Sequence, residues 1–149
     1  MEIRKLKAQK NIALVAHDNK KSDLIEWSTT NKAILSGHNL FATGTTGNMI
    51  EKATSLPISK FLSGPLGGDL EVGAHIAEGK IDVLIFFWDP MEAQPHDPDV
   101  KALLRVAVTY NIPIACNRAT ADFLLTSPFM QEDYEAAFSD YSSYRNRKL

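Results

Sequence analysis

A single cysteine, Cys116, stands among the 149 residues, so no internal disulfide can form. The fold must be held by its core, and at this length folding can remove about two-thirds of the unfolded surface from water. A reducing compartment is compatible with that cysteine usage. No apolar run approaches the ~20 residues of a membrane helix. The longest, residues 83–88, has the length of a strand. The charged first ten residues are not followed by an apolar segment of signal-peptide form, so a cytoplasmic protein is expected. Formal net charge is −2, without the basic excess that nucleic-acid binders carry. The short basic stretch of Arg145, Arg147 and Lys148 does not alter that. Walker A and GxGxxG patterns are missing, which disfavours nucleotides and points to a smaller phosphate compound. HExxH and CxxC spacings are missing too, so a metal site built from His17 and the 95–99 cluster has little support, and none is expected.

What remains is an ordinary globular composition, 44% hydrophobic and 23% charged, for which one domain is the expectation. Short apolar runs alternate with longer amphipathic ones. Residues 11–16, 39–43, 60–63, 82–88 and 112–116 read as strands. Residues 20–35, 47–54, 70–78 and 99–110 read as helices, with a further one opening at Thr120 or Asp122 and closing before Ser127-Pro128. In the 99–110 helix Val100, Leu103, Leu104, Ala107 and Val108 share a face, with Asp97 as cap and Pro98 at its first position. The tail from Phe129 reads as a helix packed on a neighbour. The run DVLIFFW at 82–88 is continuous rather than alternating, so it is buried on both faces, as in a parallel sheet. The alternation implies βαβ units and an α/β, doubly wound, mainly parallel sheet flanked by helices in three layers.

Ligands of such folds bind at the carboxyl ends of the strands. The unusual polar residues fall there: His17-Asp18, residues 43–47, residues 63–69, and Asp89-Pro90. In the first glycine-rich turn, Thr43, Gly44, Thr45, Thr46 and Gly47 combine close backbone approach, helix-start amides and hydroxyl donors, which makes an anion site. A plain N-cap turn is the alternative. The second turn, SGPLGGD at 63–69, suits a tight wrap around something small. Its last residue, Asp69, fits two roles: an N-cap, or a general base beside bound phosphate. His17 can bond a substrate oxygen, and a lysine in the next turn can pair with phosphate as a point charge. His96 is a candidate electrophile that polarises a carbonyl. Asp99 is a first-turn acid favoured by the helix dipole. His38, His75 and Cys116 read as structural.

At these motifs the sequence resembles the methylglyoxal synthase family. The matching stretches are IALVAHD at 12–18, FATGTTGN at 41–48, LSGPLGGD at 62–69, GKIDVLIFFWDP at 79–90, PHDPDVKALLR at 95–105 and NRATADF at 117–123. The resemblance implies a methylglyoxal-synthase-like α/β fold, a homohexamer, and conversion of dihydroxyacetone phosphate to methylglyoxal and inorganic phosphate without metal or organic cofactor. It implies Asp69 as catalytic base, His96 on the substrate carbonyl and hydroxyl, and His17 as a further substrate contact. Lys21, Thr43, Thr45, Thr46, Ser63 and Gly64 correspond to the phosphate grip, with Gly44 in the same loop. Asp18, Asp89 and Asp99 correspond to supporting carboxylates. Either Arg147 or Lys148 matches a C-terminal cation that reaches a neighbouring subunit. Inhibition by inorganic phosphate is also implied. Related folds serve as effector-binding domains of larger synthetases. A phospho-accepting receiver would use Asp89, but no paired acids follow the first strand.

Overall fold

The computed structural model describes residues 1–92 and 97–147, apart from the side chains of residues 97–99. Its centre is a five-stranded parallel sheet. The strands are β2 (Asn11–Ala16), β3 (Asn39–Thr43), β4 (Ile58–Phe61), β5 (Val83–Phe87) and β6 (Ile114–Ala115). Their spatial order is β4-β3-β2-β5-β6. The chain therefore leaves β2 in one direction, returns, and leaves it in the other. The switch point lies between β2 and β5, whose registers pair Ile12 with Val83 through to Ala16 with Phe87.

The pleat divides each continuous apolar run between two cores, because successive side chains point to opposite faces. Ile12, Leu14, Val83 and Ile85 meet Leu24 and Trp27 of α1 (Lys21–Thr30), Leu35 of α2 (Lys32–Leu35) and Ile50 of α3 (Gly44–Thr54). Ala13, Val15, Leu84 and Phe86 meet Val72 and Ile76 of α4 (Gly68–Ala77) and Val100, Leu103 and Ala107 of α5 (Asp97–Thr109). Ala121 and Leu125 of α6 (Arg118–Thr126) join the first core. This is the three-layer arrangement expected from the buried strands.

Several boundaries move. The helix expected over 20–35 breaks at Asn31, whose φ of −104° and ψ of 18° leave the helical region. The Asn31 side-chain amide donates to the Trp27 carbonyl at 2.9 Å, beside its own backbone N–H at 3.0 Å. β4 lies two residues earlier than read, because pairing with β3 stops at Phe61. α3 and α4 begin earlier than expected, so the first glycine-rich turn is largely the opening turn of α3, while the second contributes only Gly68 and Asp69 to α4 after a 3₁₀ turn at Gly64–Leu66.

The larger correction concerns the termini. The tail forms no long helix. Residues Tyr134–Phe138 form β7, which pairs antiparallel with β1 (Glu2–Leu6). A short α7 (Ser142–Arg145) follows. This ribbon covers the amino end of the parallel sheet. Arg4 Nη1 donates to the Ile76 carbonyl at 2.6 Å, with its guanidinium 4.6 Å from the Tyr110 ring centre. Buried Lys10 donates to the carbonyls of Lys7 at 2.5 Å and Glu132 at 2.7 Å. Beside it, burial pushes the Asp82 carboxyl above its ordinary range, against the opposing pull of the Asn11 N–H and nearby cations.

Candidate active site at the switch point

Three reversals at the carboxyl ends of β2, β3 and β4 enclose one cavity of about 240 Å³. That is below the range of drug-sized ligand pockets, so a molecule of few atoms suits it. His17, Asp18, Lys21, Thr43, Thr45, Ser63, Gly64 and Asp69 all line it. The structure thus brings together most of the residues singled out from sequence.

β2 runs into His17 and a short 3₁₀ turn, Asp18–Lys20, before α1. His17 is buried, and its Nδ1 accepts the Asp89 backbone N–H at 3.0 Å. A proton on Nδ1 would oppose donor to donor, so the neutral ring carries its proton on Nε2. The ring stands edge-on to Phe86, 5.2 Å between centres. Lys21 Nζ lies 2.7 Å from Asp18 Oδ1.

The second reversal puts Thr43 at the N-cap position of α3. It makes no side-chain capping bond there, so the turn is not explained by the needs of its own helix. Gly44 and Thr46 do not line the cavity. The Gly44 N–H donates to the Leu62 carbonyl at 3.4 Å. Thr46 is 1% exposed, and its Oγ1 has no hydrogen-bond partner among the described residues.

The third reversal holds Asp69. Gly67 takes the N-cap position of α4 with φ of 107°, a conformation that L side chains rarely adopt. Asp69 is the second residue of the helix, so of its two roles the N-cap falls away. Asp69 is 7% exposed and lies in the first helical turn, where the dipole favours negative charge. A Cβ placed on Gly64 would stand 3.5 Å from Asp69 Oδ1, so the second loop passes directly over this carboxylate. Gly68 locks the two loops together: a Cβ there would fall 2.0 Å from the Leu62 carbonyl oxygen and 2.9 Å from Thr43 Cγ2.

Asp89 does not line the cavity. Its Oδ1 accepts the Met91 N–H at 3.0 Å and its Oδ2 the Asn19 amide at 3.1 Å. The Met91 N–H, and then Asn19, hold the carboxyl below the ordinary range. Asn19 also reaches Glu92 Oε2 at 3.5 Å, and Glu92 lines the cavity. Neither Asn19 nor Glu92 was singled out from sequence. No spacing marks them, because their meeting depends on β2 and β5 being neighbours.

The side chains of His96 and Asp99 lie outside the described residues, as does Lys148. Arg147 is described, and its guanidinium lies 4.6 Å from the Tyr144 ring centre. His38 Nδ1 accepts the Lys10 N–H at 2.9 Å, and His75 Nδ1 lies 2.8 Å from the Glu71 carbonyl oxygen, which fits structural roles. Cys116 is half-buried, and desolvation pushes its thiol pKa up. No cluster of three or more metal-ligating side chains occurs among the described residues.

Among the described residues, the lining carries the carboxylates of Asp18, Asp69 and Glu92 and the ammonium of Lys21. The hydroxyls of Thr43, Thr45 and Ser63 line the same cavity, and the first turns of α3 and α4 carry backbone amides of the kind that can hold an anion. A carboxylate beside such an anion can accept a proton.

Fold and cavity define a three-layer α/β protein with a small polar cavity at the carboxyl ends of its parallel strands. A family model described as MGS-like domain matches residues 23–116. Methylglyoxal synthase of Coxiella burnetii (strain RSA 493) is 59% identical over 138 residues, covering 93% of this chain and 96% of that protein. The same-named protein of Leptospira interrogans (serovar Lai) is 57% identical over 136 residues, covering 91% and 92%. The crystal structure of methylglyoxal synthase from Elizabethkingia anophelis NUHP1 superposes with a TM-score of 0.94 at 53% identity, covering 100% of this chain and 98% of the other. The chain belongs to the methylglyoxal synthase family.

Proposed function

We propose that the protein is a carbon–oxygen lyase that converts dihydroxyacetone phosphate to methylglyoxal and inorganic phosphate. The observation that carries this reading is the placement of the Asp69 carboxylate and the His17 imidazole in one small cavity with the donors of two helix starts. Phosphate sits on the hydroxyls of Thr45 and Ser63, the first-turn amides of the helices and Lys21. Asp69 removes a proton from the hydroxymethyl carbon. The C–H electron pair forms the enediolate, and charge grows on the carbonyl oxygen. There an Nε2–H of His17 is a ready donor, alongside His96. The enediolate then expels phosphate as the C–O bond breaks, and the resulting enol takes up a proton to give methylglyoxal. Expulsion needs that C–O bond to stand out of the enediolate plane, so gripping the phosphate fixes a torsion as well as a charge. Asp18, Asp89 and Asp99 support the site.

Inorganic phosphate, both product and mimic of the substrate's charged end, competes for the same donors. A cytoplasmic homohexamer with cooperative phosphate inhibition agrees with the family resemblance. No helix among the described residues is long and apolar enough to cross a membrane. Incubation with dihydroxyacetone phosphate, with methylglyoxal and free phosphate measured together, tests the reading. Equal yields are expected; phosphate binding without turnover would favour an effector-binding domain.

A further inference from the structure

We propose that Glu71 is a positioning residue of this site, holding the second glycine-rich loop at the angle that phosphate expulsion requires. The inference rests on the lyase reading above and adds a residue to which neither sequence pattern nor resemblance gave a role.

The geometry centres on one peptide group. β4 is an edge strand whose last rung pairs Thr43 with Phe61. The next N–H, that of Leu62, is left without a partner in the ladder. Glu71 supplies one: Oε1 accepts the Leu62 N–H at 2.9 Å. A carboxylate acceptor makes such a bond shorter and stronger than a neutral one. The carbonyl of the same residue accepts the Gly44 N–H, and the Gly68 backbone closes directly on its oxygen. Leu62 is therefore where the first loop, the second loop and the start of α4 meet. Glu71 lies two residues beyond Asp69 on that helix, so its bond ties the Asp69-bearing turn to the start of the loop that carries Ser63 and Gly64. His75, one turn further on, packs its ring on Phe61 with 4.9 Å between centres and braces the same strand end.

Without this bond the loop has one attachment fewer where it leaves the sheet. The phosphate can then turn toward the enediolate plane, where the C–O bond loses overlap with the π system. The intermediate would return to substrate by reprotonation rather than expel phosphate. A misplacement of about 1 Å costs on the order of 100-fold in rate.

The test compares Glu71→Ala, Glu71→Met and Glu71→Gln with the native enzyme in D₂O. It measures methylglyoxal formed, deuterium in the recovered dihydroxyacetone phosphate, and melting temperature. Gln keeps an Oε1 acceptor; Ala and Met do not. The expected result is a fall in kcat of about 10- to 100-fold for Ala and Met, with the ratio of deuterated substrate to methylglyoxal raised about as much. Gln should keep both near native values. Four results would overturn the proposal: native rate and ratio in folded Ala and Met variants; a lower rate with the native ratio; impairment of Gln equal to that of Ala; or failure of both Ala and Met to fold while Gln folds. A native enzyme that forms no methylglyoxal would instead reject the lyase reading.

Discussion

The backbone N–H of Asp89 donates to Nδ1 of His17 across 3.0 Å, joining the turn after β5 to the turn after β2. This bond decides which nitrogen of the ring can serve a substrate. ¹⁵N spectra of the neutral His17 ring should show an unprotonated, hydrogen-bonded Nδ1 and a protonated Nε2. A signal for protonated Nδ1 in the neutral ring would contradict the assignment. His17→Phe keeps the packing against Phe86 but removes the donor, and kcat/KM should fall by about 100-fold or more.

Asp89 contributes through its own carboxylate as well. The Met91 N–H and the Asn19 amide favour the charged form, which places its folded pKa below the unfolded value. Its stabilisation is therefore fully present above the ordinary carboxylate pKa, about 3.9, and disappears as pH falls through the lower folded value. The melting-temperature gap between native protein and Asp89→Ala should be widest near neutrality and close below about pH 4. A gap independent of pH would assign the loss to something other than this charge.

How much of this was legible beforehand depended on where the signal lay. The runs at 11–16 and 82–88 announced a sheet buried on both faces, and β2 and β5 are its central pair. Asp69, His17 and the two glycine-rich turns could be placed because a doubly wound sheet collects its strand ends at one edge. β1 and β7 were missed for a physical reason. Each is short and partly exposed, and each is fixed by a partner at the other end of the chain. Asn19, Glu92 and Glu71 escaped in the same way, since a polar residue in a turn or on a helix has no distinctive pattern until its neighbour is known.

Two glycines of the second loop make opposite demands. At Gly68 an added methyl would collide with backbone, 2.0 Å from the Leu62 oxygen. Gly68→Ala should lose more than about 3 kcal/mol and separate the loops. At Gly64 the methyl would sit at ordinary contact distance, 3.5 Å from Asp69 Oδ1. Gly64→Ala should fold with a native melting temperature and show its effect in KM and kcat alone. Equal destabilisation in the two variants would refute this assignment of roles.

The opposite end of the sheet should respond in stability and not in catalysis. Lys10→Met strips the carbonyls of Lys7 and Glu132 of their ammonium donor and takes from buried Asp82 one of its nearby cations, leaving Arg4 and Lys7. Unfolding experiments should register a loss of roughly 2–4 kcal/mol. Turnover of the folded fraction should stay native. A comparable fall in kcat would show that the ribbon influences the site.

Central to the account is proton removal by the Asp69 carboxylate. Asp69→Asn keeps the size of the side chain and replaces a buried charge with an amide, so the fold should survive. Turnover of dihydroxyacetone phosphate by this variant, measured as methylglyoxal and phosphate under saturating substrate, should fall by about 10³-fold or more, with inorganic phosphate still bound. Turnover within a few fold of the native enzyme would contradict the account.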